Sequence, residues 1–256
     1  MTLDAAVAAI AVEEDPTASL DGIAAQLDAL ASSVRMPPSC SKAEAVARLN
    51  LALFTDAGFV GDMDDYDNPR NSLLHVVMSR RKGLPILLSV IYMEVGRRCG
   101  VPIAGIGFPG HFLVAPRDAE DRFFVDAFNQ GRILTVDALR ARLTRMTGRT
   151  PGDDEVEIAL REVGENYILV RINNNLKGAM IRDDDIPGAI RAVRRMLAIA
   201  PHLPSERRDL ALMTAHEGDP VGAAMELQGY LDANPEAPGA GALGQLAERL
   251  RTAERE

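Results

Sequence analysis

Apolar residues recur along this chain at two periods, and the change from one to the other organises it. Leu20, Ile23, Leu27, Leu30 and Val34 repeat at helical spacing, after an Ala-rich stretch from Leu3 to Val12 that also reads as helix. Met36-Pro37-Pro38-Ser39-Cys40 breaks the pattern. Ser41 and Glu44 then have the spacing of a capping box, followed by Ala45, Leu49, Leu53 and Phe54 on one side. An acidic, turn-rich segment covers 61–71. After it, Leu73, Leu74, Val76 and Val77 start a helix that ends near Arg80-Arg81-Lys82-Gly83, basic residues suited to its negative end. Pro85 opens a longer apolar run to Val95, closed by Arg97, Arg98 and Gly100. Proline at the first helical position and glycine past the last is the favoured asymmetry of a helix. Beyond Gly100 the period shortens. Residues 101–108, 111–115 and 122–126 are short, β-rich and punctuated by Gly and Pro, which predicts strands carrying His111 and Asp126. Ala127 to Leu134 reads as a tight turn at Gly131 that returns a further strand. Val136 to Met146 is a helix, 147–154 is the best linker in the chain, and everything from Glu155 onward reads helical.

The last part contains a repeat. Asp185 matches Asp219 at an offset of 34, as do Gly188 and Gly222, Ala189 and Ala223, Leu197 and Leu231, and Pro201 and Pro235. A 34-residue helix-turn-helix period resembles the tetratricopeptide repeat over roughly 170–235, with Leu176 and Leu210 also in register. Lys177 and Ala211 stand where that family usually has a small Gly, and no aromatic occupies its first position. Two repeats and a terminal helix from Ala242 to Arg251 either dock a peptide or pack on their own neighbour. The fold class is α+β: a helical N-terminal part (1–60), a helix-plus-antiparallel-sheet core (61–150) and an all-α repeat module (155–256).

Composition narrows the function classes. At 256 residues and 47% hydrophobic the chain has a real core, but with aromatics at 4% and no Trp that core is aliphatic. A net charge of −9 argues against a nucleic-acid or anionic-membrane surface, which needs clustered Lys and Arg. Cys40 and Cys99 make no disulfide framework, residues 1–12 lack the basic start of a signal peptide, and no apolar run reaches the ~18–20 residues of a membrane span. The expectation is a cytoplasmic protein with a protein or peptide segment as partner through 155–256, and with no cofactor, nucleic acid or membrane.

The chemistry centres on 81–126. Unpaired N–H groups at a helix start lower the pKa of a Cys placed there; a nearby His takes its proton and an Asp orients that His. The segments G-L-P-I-L-L-S-V-I-Y, G-H-F-L-V and F-V-D-A-F resemble the core of the transglutaminase-like superfamily, and within it the bacterial SirB1 type, which pairs that domain with tetratricopeptide repeats. The resemblance implies a papain-like core in which His111 and Asp126 fall on the family's His and Asp. The nucleophile position falls on Pro85, which has no thiol, no hydroxyl and no N–H. The resulting set, Pro85, His111 and Asp126, reads as a remnant triad. Ser89, Phe108, Gly110, Phe112, Phe128 and Asn129 are candidates for a pocket over it, the phenylalanines equally for strand-layer core.

Cys99 lies ~20 Å from Pro85 along the same helix and Cys40 lies in a loop outside the core. Ser89, one turn after Pro85, is the kind of hydroxyl that bonds back to a helix carbonyl. Asp62, Asp64, Asp65 and Asp67 lack the Gly and Glu of a calcium loop and read as a solvated loop. His111 and Asp126 with His75 lack metal-site spacing, and His75, His202 and His216 default to the surface. Two functions of different class stand: a non-catalytic interaction or regulatory protein, and an amide or peptide hydrolase or transferase with a displaced Cys or Ser served by His111 and Asp126.

Overall fold

The computed structural model describes residues 2–119 and 121–252. The chain divides into two compact units, Met1–Ile168 and Leu169–Glu256. The first unit begins with α1 (Leu3–Glu14), α2 (Leu20–Ser33) and α3 (Lys42–Asn50). Ser19 and Ser41 cap α2 and α3, accepting from the N–H of Gly22 and Glu44 at 3.3 and 3.2 Å. The chain leaves α3 through a π-helical turn, Leu51–Asp56, that the apolar pattern does not announce. Next come β1 (Val60–Gly61), α4 (Leu74–Arg80) and β2 (Lys82–Gly83), with β1 and β2 paired in parallel. α4 stops because Arg81 takes a left-handed conformation, φ 59°.

α5 (Pro85–Arg98) is buried at every position from Pro85 to Tyr92, so its sequence is apolar all round rather than striped. It packs against α2 and against β3 (Ile103–Ile106) and β4 (Leu113–Pro116). These strands, with β5 (Phe124–Asp126), β6 (Arg132–Leu134) and β7 (Glu162–Val163), form an antiparallel sheet in the order β6-β5-β4-β3-β7. Ile106, Phe108, Leu113 and Phe124 bury against Leu139 and Leu143 of α6 (Val136–Thr147), Val156 of α7 (Asp153–Ala159) and Leu160. Each such side chain contributes about 1.5–3 kcal/mol of transfer free energy.

β7 departs from the all-helical reading of everything after Glu155. Gly105 and Ile106 pair with Val163 and Glu162, a tertiary constraint that local pattern does not carry. The stretch 147–154 therefore lies inside the first unit: Arg149 pairs with Glu155, and Arg140 with Asp153. The boundary between units falls instead within α8 (Glu165–Arg182).

The second unit continues with α9 (Ile186–Ile199), α10 (Pro204–His216), α11 (Pro220–Ala233) and α12 (Ala240–Thr252). The 34-residue offset has a direct structural meaning. Asp185 and Asp219 are equivalent N-caps, accepting from Gly188 N at 2.9 Å and Gly222 N at 2.7 Å. Both glycines are helical positions where a Cβ would stand 2.1 Å from the capping carboxylate. Val193, Met196 and Leu197 meet Leu210 in one cluster, and Ala223, Ala224 and Leu227 meet Leu243, Leu246 and Leu250 in the next. Lys177 ties α8 to α10 through Glu206 and Asp209, at 2.8 and 3.0 Å.

Candidate functional site

Pro109 and Gly110 fix a β-turn whose last residue, His111, returns its N–H to Phe108 O at 3.0 Å. Gly110 has φ 67°, the left-handed value required at the third place of a type II turn, with Pro favoured at the second. His111 thus sits on a turn two residues ahead of β4, rather than in the strand that the sequence pattern assigned to it. Asp126 closes β5, paired in register with Arg132. His111 is 8% exposed and Asp126 2%, and Nε2 of the imidazole lies 2.8 Å from Asp126 Oδ1.

The carboxylate makes two further bonds. Asn129 donates its backbone N–H to Oδ1 at 3.2 Å and its side-chain amide to Oδ2 at 2.8 Å. Burial pushes the Asp126 carboxyl up, but the hydrogen bond and charge of His111 and the bonds from Asn129 outweigh it and hold the group below its ordinary value. Asn129 is itself fixed by a turn in which Gln130 and Gly131 are both left-handed and Gly131 N–H bonds Asp126 O at 2.9 Å. Asn50 clamps that turn, donating to Gly131 O at 2.8 Å and accepting from the Tyr92 hydroxyl at 3.0 Å. A run of side chains and backbone from α5 to the imidazole therefore determines the orientation of one carboxylate.

Phe128 meets His111 edge to face, ring centres 6.0 Å apart, and Tyr66 meets Phe128 in the same way. Gly61 makes this possible, because a Cβ there would lie 2.5 Å from the Phe128 ring. Since Gly61 pairs with Gly83, two residues before Pro85, these contacts bring the start of α5 to the His111 side of the sheet. A carboxylate accepts only from a protonated Nε2, so Nδ1 is the ring nitrogen left to face a further partner. No described thiol or hydroxyl makes a hydrogen bond to His111. Cys40 Sγ contacts Met36 Sδ at 3.8 Å, and Cys99 Sγ contacts Ala31 O at 3.6 Å with its thiol pKa raised by burial.

The remaining sequence candidates disperse. Ser89 is fully buried and its Oγ has no hydrogen-bond partner, so it does not bond back to a helix carbonyl. Phe108 belongs to the cluster with Leu139 and Leu143, while the Phe112 ring faces Gly105. The acidic loop is less solvated than its composition suggests. Asp62 is 1% exposed and paired with Arg80 at 2.8 Å, and Asn71 donates to Asp65 O at 2.6 Å. His75 is tied to Asp15 at 2.9 Å rather than free on the surface. Among the described residues, no group of three or more His, Cys, Asp or Glu side chains could hold a metal ion, and no helix is long and apolar enough to cross a membrane.

The other end of α5 holds a cluster the sequence reading passed over. Glu94 Oε2 accepts from Arg97 at 2.8 Å and Arg98 at 2.7 Å, and Arg98 also grips Asp4 of α1 and Asp28 of α2. The Glu94 and Arg98 spacing, one turn apart in an apolar helix, was its legible signal.

The match to known families agrees with this anatomy. A transglutaminase-like superfamily model matches residues 21–174 and a tetratricopeptide repeat model matches residues 176–250. The fold and site define a transglutaminase-like domain followed by tetratricopeptide repeats, and the chain belongs to the transglutaminase-like superfamily. Its relatives include a UPF0162 protein of Xylella fastidiosa, 38% identical over 74% of this chain and 68% of the relative. A UPF0162 protein of Pseudomonas aeruginosa is 30% identical over 59% of this chain and 54% of its own length. Human F-box only protein 21 is 38% identical over 34% of this chain and 15% of its own length. No solved structure matches the chain.

Proposed function

We propose that this chain is a SirB1-type, non-catalytic interaction or regulatory protein, in which a transglutaminase-like domain without its Cys nucleophile is joined to a repeat module that docks a protein segment. The observation that carries this reading is Pro85 at the first position of α5, where the family resemblance calls for a thiol. A prolyl ring there offers no atom to acylate, and His111 has no described thiol or hydroxyl to deprotonate. His111 and Asp126 then act as a strut: each satisfies the other's buried polar group. The tetratricopeptide repeats support a protein partner, and two unpaired cysteines support a reducing, cytoplasmic setting.

Installing the missing thiol tests this directly. In Pro85→Cys the new thiol, at a helix start on the His111 side of the sheet, is expected to react with iodoacetamide at neutral pH about tenfold faster than Cys40. His111→Ala in the same background should remove that advantage. A slow thiol indifferent to His111 would contradict the assignment of Pro85, His111 and Asp126 as a remnant triad.

A second reading, an amide or peptide hydrolase or transferase with a displaced nucleophile, is favoured by one observation, the unspent hydroxyl of Ser89. It requires turnover of an amide by the pure full-length chain and loss of that turnover in both Ser89→Ala and His111→Ala.

A further inference from the structure

A cavity of about 230 Å³ lies in the first unit between the C-terminal half of α5, β3 and the segment from β7 into α8, away from the remnant triad. Glu94, Arg97, Arg117 and Glu165 supply its charges, two of each sign, over an apolar floor that includes Met93 and Ile103. Glu94 is only 3% exposed, and both guanidinium groups that hold it bond to Oε2. Oε1 accepts no hydrogen bond from a described residue, which leaves the second oxygen of this carboxylate open to the cavity. Arg117, also in the lining, uses Nε toward Glu162 at 3.1 Å, and its terminal nitrogens have no described partner.

We propose that this cavity binds a small zwitterion of the class of a free α-amino acid with an apolar side chain. The ammonium donates to Glu94 Oε1, the carboxylate takes the free donors of Arg117 and Arg97, and the side chain lies on Met93 and Ile103. Three features select this class. A buried carboxylate with one open oxygen calls for a charged donor. Exposed guanidinium forks call for a planar carboxylate. The lining is electrically balanced, so a ligand carrying one charge would leave an imbalance in a half-enclosed site. The volume lies below the range of drug-sized pockets, which fits a molecule no larger than an amino acid. The site is independent of the remnant triad and of whether the protein is an enzyme.

Isothermal titration of the full-length chain with L-leucine, L-leucinamide and N-acetyl-L-leucine tests it. L-Leucine should bind saturably, and the amide and the N-acetyl derivative, each missing one charge, should bind at least about tenfold more weakly. Arg117→Ala should weaken L-leucine by about tenfold. Glu94→Gln should weaken it as much, but it also disturbs the Arg98 cluster, so Gly164→Leu provides a second check. Gly164 lines the cavity and a Cβ there meets nothing within 4 Å, so a leucine is accommodated without a clash at its Cβ and is expected to compete for the cavity; it should abolish binding with the circular dichroism unchanged. No saturable heat with L-leucine up to about 10 mM, equal binding of all three compounds, or binding unaffected by Arg117→Ala and Gly164→Leu would each overturn the proposal.

Discussion

The two ends of α5 solve the same problem, a buried carboxylate, in different ways. At its start the sheet holds Asp126 with one imidazole and the two donors of Asn129. At its end Arg98 is shared by Asp4, Glu94 and Asp28, three carboxylates from three helices. In the first arrangement the bonds to the carboxylate come from two neighbouring turns, the one before β4 and the one after β5. The second joins α1, α2 and α5, so its loss unfastens three elements at once. A buried pair built from neighbouring turns orients a side chain, whereas a charge shared across helices holds the domain together.

The comparison can be broken most severely at Arg98. Arg98→Met should leave Asp4 and Glu94 with only the half-exposed Arg97 as a cation and destabilise the first unit by up to about 3–5 kcal/mol in denaturant unfolding. Asp126→Ala should cost less, about 1–3 kcal/mol, because it strands His111 and Asn129 as unpaired donors while the helices stay fastened. Asp126 also has a pH signature. Its folded pKa lies below 3.8, so its contribution is present above that pH and is lost as pH falls through the folded value. Asp126→Asn should flatten the acid limb of stability below pH 3.8, and an unchanged limb would contradict the pairing. Asn129→Ala removes only the side-chain bond and should cost about 1.5 kcal/mol, the low end for a hydrogen bond to a charged group. The smallest effect belongs to Ser89→Ala. Its hydroxyl is buried and unpartnered, so removal should leave stability unchanged or raise it by up to about 1 kcal/mol.

Much of this was legible in the chain, and the losses have physical reasons. The repeat was readable because Asp185, Asp219, Gly188 and Gly222 are caps, whose chemistry acts over three or four residues and leaves a local signature. Pro85 and Gly100 bracketed α5 for the same reason. β7 was not readable, since two residues pair across the sheet with no pattern of their own. Nor was the clamp on Asp126: Asn50 and Gly131 are 81 residues apart. The burial of Asp62 was hidden by its acidic neighbours, because composition reports how many charges a loop has and not which one turns inward to Arg80. His111 and Asp126 were singled out through the family resemblance; spacing alone would have left them two polar residues in an apolar region.

The central claim is that no nucleophile in this chain is served by His111. It is tested most directly by treating the full-length protein and its His111→Ala variant with iodoacetamide and a reactive acyl ester at neutral pH, and mapping modified residues by mass spectrometry. The account predicts that Cys40 and Cys99 react no faster than an ordinary thiol, that Ser89 is untouched, and that His111→Ala changes none of these rates. Rapid modification of any cysteine or serine that disappears with His111 would contradict it.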